Sequence, residues 1–415
     1  MARPRHAAVP DIGVLRGAAL YIGALLGPGL LLLPGLAVTQ AGPASIVAWA
    51  ALLVASGLFA VVFAALGVRH PSAGGVRGYA EAGLGPRAGR AVAWCFLAGV
   101  ITGAPIVAVT CGNYVAELLG GGVGLACGTA AVLLLGTIAV TVGGVRTSAS
   151  VQFGLVALLV GIVVTAVAGA APASRAGNWT PFAPHGWTAI GPAASTLMLA
   201  FVGWEAIAPL TSRFARPRRQ LPVVIGIAFG TTTVIYLALG AVTVAALGPA
   251  ASTSVPLTAL LSLAVGQVGP GVAAVGAVVL TVGAVIAYLS GAGALARSLA
   301  PAPAARDTLP PWLLVALLGS GAVLIGLLGT GVLSLAALVS VPTTFFLVVY
   351  LGCTVAACRL LPGPLLRGVA AVAVVAVVAV LAFSGYALIP AACVTGLALL
   401  ARPRRLRSAP PLVPA

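Results

Sequence analysis

The sequence predicts an all-α polytopic membrane protein of twelve spans, the first and the sixth interrupted, with two five-helix halves of opposite orientation. Three observations predict this. The 415 residues are 61% hydrophobic and only 6% charged, and apolar runs of about 18 residues or more recur along the chain, as membrane helices require. Outer-membrane barrels are excluded, because their strands alternate and carry no long apolar runs. The net charge of +16 comes from arginines in short clusters between those runs, the pattern that orients membrane helices rather than one that grips nucleic acid. Finally, two runs carry helix-breaking residues at membrane depth.

Spans are expected at 14–38, 43–67, 91–119, 123–142, 151–171, 188–210, 223–247, 268–295, 312–328, 332–357, 366–383 and 386–401. A polar loop, 68–90, follows the second, and the apolar segment 252–265 is too short to span and is expected to lie on the surface or dip in. Trp179 and Trp187 in the loop 172–187 suit an interface belt. The parts are then a tail (1–13), a first half (14–171), an outer loop (172–187), a second half (188–358), two further spans (359–401) and a basic tail (402–415). With twelve spans both termini face the cytoplasm, and twenty arginines fall on that side against Arg175 alone on the other. A miscounted span would flip every later loop and destroy this asymmetry, so the charges support both count and orientation. The first run is too long for a signal-peptide core, lacks an A-x-A exit, and is expected to remain as a span.

The first break is Gly27-Pro28-Gly29. In a helix interior Gly costs about 1 kcal/mol and Pro about 3 kcal/mol against Ala, and Pro28 also removes a donor. Irregular backbone at membrane depth is tolerated only where protein buries it or a wet cavity receives it, and interrupted helices of this kind build substrate sites in secondary transporters. A packing kink is the plain alternative. The second break is at Gly203, 176 residues after Gly27. Five spans separate the two starts, an odd number, so the halves run in opposite directions, as in inverted-repeat transporters. Of the five acids, Asp11, Glu81 and Asp307 fall in tail or loops, and Glu117 lies near the outer end of the third span. Glu205 lies inside the sixth, where a carboxylate is costly and a functional candidate by default. It either carries a proton or supports the broken backbone beside it; the bland reading gives it no role.

The residues that carry a family likeness come in order: Leu26-Gly27-Pro28-Gly29-Leu30 with Pro34 beyond; His70-Pro71-Ser72-Ala73-Gly74-Gly75-Val76; Phe201-Val202-Gly203-Trp204-Glu205-Ala206; and Phe214-Ala215-Arg216-Pro217-Arg218-Arg219-Gln220-Leu221-Pro222. The chain resembles the amino acid–polyamine–organocation superfamily, and within it the bacterial methionine and branched-chain amino-acid exporters. The match covers spans one to seven well and the rest only in layout. The resemblance implies a ten-helix inverted-repeat core with two peripheral helices. It implies that a substrate carboxylate sits at Gly27, Pro28 and Gly29, and that Leu25, Phe201, Val202 and Gly203 line the amino-group side. A helix N-terminus there offers free N–H groups and a positive dipole end. Relatives often carry Ser or Thr at Pro28, which has neither hydroxyl nor N–H, so the carboxylate would rest on the Gly29 and Leu30 amides.

No basic residue lies at midplane and Glu205 is the one acid there, so a charged substrate side chain would lack a partner. With Leu25, Leu199, Phe201 and Val202 around the site, the expected substrate is Leu, Ile, Val or Met. Thr102, Thr110, Asn113, Tyr288 and Ser290 offer further hydrogen bonds or, equally, plain helix–helix contacts. The eighth span lacks a Ser/Thr pair for sodium, which favours a proton gradient or simple exchange. The expected function is secondary transport of neutral apolar amino acids, in the direction of export, with import or exchange as the alternatives. A membrane-embedded enzyme would need clustered His, Asp or Ser at one depth, and a scaffold or sensor would need a soluble domain. No cofactor or metal is expected: the six cysteines lie in apolar runs without C-x-x-C, and the three histidines are far apart in sequence. The expected partners are the amino acid, protons and membrane lipids, in a monomer or homodimer. Arginine without lysine and Ala/Gly/Val richness point to a bacterial plasma membrane, which leaves the sequon Asn178-Trp179-Thr180 without a role.

Overall fold

A computed structural model describes residues 13–27, 29–70, 75–144, 149–205, 214–299 and 309–401. Pro28, residues 71–74 of the second motif, the exit of the sixth span at 206–213, Asp11, Arg146, Asp307 and the tail from Arg402 lie outside them.

Helix α1 (Val14–Leu25) ends just before Gly27, and α2 (Gly29–Ala41) begins two residues beyond it. The first expected span is therefore two half-helices on either side of the glycine pair. Helix α3 (Ser45–Arg69) follows directly. The polar loop expected at 68–90 contains a helix the sequence reading left out, α4 (Gly75–Leu84). It is short and amphipathic, and buries Val76, Tyr79 and Ala80, so its apolar face was too brief to register as a run. Next come α5 (Pro86–Leu118), α6 (Val123–Val142) and α7 (Ala149–Ala170).

The sixth expected span starts as α8 (Ile190–Leu197), tightens to a 3₁₀ turn over Met198–Phe201, and is extended by Val202. Helix α9 (Pro217–Val242) starts with Pro at its first position, where the missing N–H costs nothing. The short apolar segment becomes α10 (Pro256–Val265), which buries Leu257, Leu260 and Leu261. Then come α11 (Gly269–Leu299), α12 (Pro311–Gly329), α13 (Leu335–Leu360), α14 (Pro364–Leu381) and α15 (Leu388–Leu400). Among the described residues there is helix and no strand.

Among the described residues nine helical stretches are long and apolar enough to cross a membrane, and Val14–Leu25, Trp187–Phe201 and Gly385–Leu400 are shorter apolar helices. Breaking a span in two leaves pieces that fall below the roughly 20 residues a full crossing takes. Valines 132, 315 and 375 on α6, α12 and α14 are about 70% exposed (71%, 71% and 67%), a surface suited to lipid.

Arginines gather at one end of the bundle. Arg77 on α4 donates to the Ser298 carbonyl at the end of α11 (3.0 Å), and Arg359 at the end of α13 donates to the Gly83 carbonyl of α4 (3.4 Å). Arg90 near the start of α5 donates to the Ala401 carbonyl (2.5 Å). Other ties close the opposite end. The Gln40 side chain on α2 donates to the Thr196 hydroxyl on α8 (2.9 Å). The Tyr114 hydroxyl of α5 donates to the Leu31 carbonyl (2.6 Å) and accepts from the Leu257 amide at the start of α10 (3.3 Å). In the loop before α8, the Asn178 side chain and the Arg175 amide both donate to the Ala245 carbonyl (2.8 Å each). Trp179 packs on the small cluster of Val38, Val244 and Ala251 while Trp187 is exposed, so only Trp187 has the placing of an interface residue.

Candidate functional site

The two breaks meet. A Cβ at Gly203 would stand 2.7 Å from the Ala24 carbonyl oxygen and 3.0 Å from the Leu25 amide nitrogen. Only glycine lets the backbones touch this closely. Three carbonyls at the helix ends have lost regular helical partners, and tyrosines from neighbouring helices serve them. The Tyr236 hydroxyl of α9 lies 2.5 Å from the Leu25 carbonyl and 2.6 Å from the Ala200 carbonyl. The Tyr350 hydroxyl of α13 lies 3.0 Å from the Phe201 carbonyl and 2.7 Å from Glu205 Oε2. The Gly203 amide donates to the same oxygen (2.9 Å), and Glu205 is 2% exposed. Beside it the Trp204 indole donates to the Ser56 hydroxyl of α3 (3.0 Å), which fixes the turn.

A cavity of about 70 Å³ opens on the junction. Helix α5 presents its small face there (Gly99, Gly103, Ala104), α11 presents Ala284, Val285 and Tyr288, and α13 presents Phe346. Tyr288 carries the one polar side chain among the described lining residues. A second cavity, of about 190 Å³, shares Ala24, Gly27, Ala284 and Tyr288 with the first and continues past Leu20, Phe96, Gln152 and Gly291. Leu20, Phe96 and Gly291 stand closer along their helices to Arg16, Arg90 and Arg297 than Ala24, Gly99 and Tyr288 do, so the pair of cavities runs from the breaks toward those arginines.

Of the residues named from sequence, Leu25, Gly27, Gly29, Leu199, Val202 and Tyr288 line the first cavity. Pro28 lies outside the described residues, and the rest do not line it, for physical reasons. The Leu30 side chain is buried (2% exposed) and its amide donates to the Gly27 carbonyl (3.0 Å), so that donor is already used. The Phe201 ring packs between Trp49 (5.9 Å) and Tyr236 (5.1 Å), leaving only its carbonyl for the site. Gly203 is spent on the contact with α1. Glu205 touches Tyr350 and the Gly203 amide instead of the cavity. Thr102, Thr110 and Ser290 donate to the carbonyls of Ala98, Ile106 and Ile286 four residues back, the self-satisfying habit of hydroxyls inside helices. Asn113 is half-buried on α5 and lines neither cavity.

Tyr236 and Tyr350 escaped the sequence reading. Their signal was present: a tyrosine deep in an apolar span must find a partner for its hydroxyl, and carbonyls freed at a helix break are the partners on offer. Among the described residues there is no group of His, Cys, Asp and Glu able to hold a metal ion.

The profile of the family described as amino acid permease matches residues 12–405. The chain belongs to that family. It is 32% identical over 222 residues to an uncharacterised amino acid permease, YecA, of Bacillus subtilis, covering 54% of this chain and 52% of that protein. It is 32% identical over 235 residues to the L-methionine/branched-chain amino acid exporter YjeH of Escherichia coli, covering 54% of each. The putrescine transporter PotE of Escherichia coli is 26% identical over 233 residues, covering 54% of this chain and 52% of PotE. The permease thus spans about half the length of the curated relatives it matches.

Proposed function

We propose that this permease is a secondary transporter of neutral apolar L-amino acids, Leu, Ile, Val or Met, working by alternating access, in the direction of export and coupled to protons. The observation that carries the substrate is the cavity at the two breaks. Backbone polar groups stand at one side of it, and no charged side chain is among its described lining. Its roughly 70 Å³ continues into the second cavity of about 190 Å³, and the described lining between them is mostly small and apolar. The open N-terminus of α2 at Gly29 suits the carboxylate, and the carbonyls of Leu25, Ala200 and Phe201 suit the amine, each with a second lone pair beyond the one a tyrosine uses. A diamine such as that named for PotE would need an acid for its second cation, and Glu205 is turned away from the cavity.

In the same reading the chain crosses a bacterial plasma membrane twelve times with both termini in the cytoplasm. Residues 14–171 and 188–358 form the inverted halves and 359–401 the periphery. The cavities then open inward, and the ties at Gln40, Tyr114 and Asn178 close the outer side.

Counterflow in liposomes with a panel of labelled amino acids, with and without a pH gradient, tests the proposal. Leucine, isoleucine, valine and methionine are expected to exchange with one another, and a gradient acid on the trans side is expected to drive them uphill. Preferential counterflow of lysine, glutamate or putrescine overturns the apolar substrate. Uphill movement in sealed right-side-out vesicles only inward overturns export.

A further inference from the structure

We propose that Tyr350 makes proton binding at Glu205 and amine binding at the Phe201 carbonyl mutually exclusive, so that the permease exchanges one proton for one amino acid. This rests on the proton-coupled reading above and adds its stoichiometry, its sign and the residue that enforces them.

The geometry poses a counting problem. A tyrosine hydroxyl has one proton, and that of Tyr350 faces two acceptors, the Phe201 carbonyl at 3.0 Å and Glu205 Oε2 at 2.7 Å. Two arrangements satisfy the hydroxyl when the carboxyl proton sits on the Tyr350-facing Oε2, since Glu205 Oε1 is buried with no partner among the described residues. When Glu205 is protonated, it donates to the Tyr350 oxygen, and Tyr350 donates to the Phe201 carbonyl. When Glu205 is ionised it cannot donate, and its charge draws the Tyr350 proton to itself, because hydrogen bonds to a carboxylate are about twice as strong as neutral ones. The Phe201 carbonyl is then left without a donor, beside a buried negative charge.

An ammonium group answers both deficits. Ala200 and Val202, on either side of Phe201, line the cavity and Phe201 does not, so its carbonyl lies in the peptide just behind that wall and the substrate must open the turn to reach it. The step balances: neutral Glu205 and an alkylammonium become a Glu205 carboxylate and bound alkylammonium, and the released proton passes to water in the inner vestibule. The incoming ammonium takes the place of the departing proton, and because the substrate also brings its carboxylate the loaded site carries one net negative charge, set against the positive N-terminal end of α2. Glu205 acts through Tyr350 and does not touch the substrate, so Tyr350 is a positioning residue.

Among the described residues no other group nearby competes for the part. Facing Glu205 are Tyr350 and Cys353 of α13 and Tyr288 of α11. Tyr21 of α1 lies behind Trp204 (ring centroids 5.8 Å), and Tyr79 of α4 lies behind Phe63. Tyrosine and cysteine side chains are ordinarily uncharged at pH 7, and among the described residues no arginine acts on Glu205.

The test uses purified full-length protein and whichever panel amino acid gives the strongest counterflow. In the wild type, binding is expected to weaken by up to about tenfold per pH unit on the acid side, with about one proton released per substrate bound, since linkage is reciprocal. Glu205→Gln is expected to bind without pH dependence or proton release. Tyr350→Phe leaves the Phe201 carbonyl open whatever the state of Glu205, so its pH slope and its proton release should both fall well below the wild-type values. In the wild type, substrate should also abolish a protonated-carboxyl infrared band that Glu205→Gln lacks, a measurement that does not depend on either variant's transport. A Tyr350→Phe protein that bound more weakly yet kept the full slope and the full proton release would reduce Tyr350 to packing. Wild-type binding that ignored pH, or a carboxyl band that persisted in the complex, would end the exchange scheme while leaving amino-acid counterflow, and so the transporter reading, intact.

Discussion

An added Cβ at Gly27 would find no atom nearer than the Ala24 carbonyl oxygen at 3.9 Å, whereas at Gly203 it would stand 2.7 Å from that same oxygen. The first break is open on its amide side. Gly27 and Gly29 line the cavity, and no described side chain serves the start of α2. The second is crowded: Tyr236, Tyr350 and Glu205 bond to its backbone, and Ser56 pins Trp204. The difference is one of polarity. Free amides at a helix N-terminus attract an anion from solution and can wait for it. Carbonyls in a dry junction need donors at all times, because an unsatisfied buried acceptor costs about 1–3 kcal/mol. Donors must therefore be built in on the carbonyl side, and the ligand shares them.

The sharpest way to break this contrast is one methyl group at each glycine. Gly203→Ala forces backbone against backbone, where overpacking costs about 1–3 kcal/mol and occasionally more. We expect loss of transport and a clear drop in melting temperature of the detergent-solubilised protein. Gly27→Ala is expected to fold with wild-type melting, its methyl entering the cavity and weakening substrate binding. Equal melting of the two variants would mean that the breaks do not touch as described.

A smaller effect is expected from Tyr236→Phe. It removes the single hydroxyl proton that the Leu25 and Ala200 carbonyls, 2.5 and 2.6 Å away, share, at a cost of about 1–3 kcal/mol. Melting should fall, and saturating substrate should restore part of the loss, because its ammonium reaches the same carbonyls. If substrate restores nothing, the amine binds elsewhere and the division between the two breaks has to be redrawn.

The helices and both breaks were legible in the sequence because the signals are local. Hydropathy marks the spans, and Gly27-Pro28-Gly29 and Gly203 mark where they fail. Glu205 stood out as an acid in an apolar run, but its partner lies 145 residues away on α13, and nothing near Tyr350 in the chain announces the pairing. The cavity floor was hidden for a related reason. Gly99 and Gly103 look like ordinary small residues of a membrane helix until α13 brings Phe346 and Pro342 against them, where a Cβ on Gly99 would lie 3.0 Å from the Phe346 ring and one on Gly103 3.5 Å from Pro342. Helix α4 escaped because its apolar face is a few residues long, and sequence places Phe201 at a break without telling that its ring turns toward Trp49 and Tyr236.

The smallest expected effects fall on the hydroxyls that sequence reading put near the site. Thr102 and Ser290 satisfy themselves on the carbonyls of Ala98 and Ile286 at 2.7 Å each, so Thr102→Val and Ser290→Ala should leave counterflow within about twofold and stability within about 0.5 kcal/mol, as for substitutions away from special features. Tyr288→Phe provides the scale, because it removes the polar side chain that does line the cavity and should weaken binding visibly more. The comparison sharpens the account of the two breaks: if polar recognition resides in their backbone ends, helix hydroxyls that already have partners contribute nothing further. A tenfold or greater loss at Thr102 or Ser290 with Tyr288→Phe unaffected would place the substrate on another face of α5 and α11, away from both breaks.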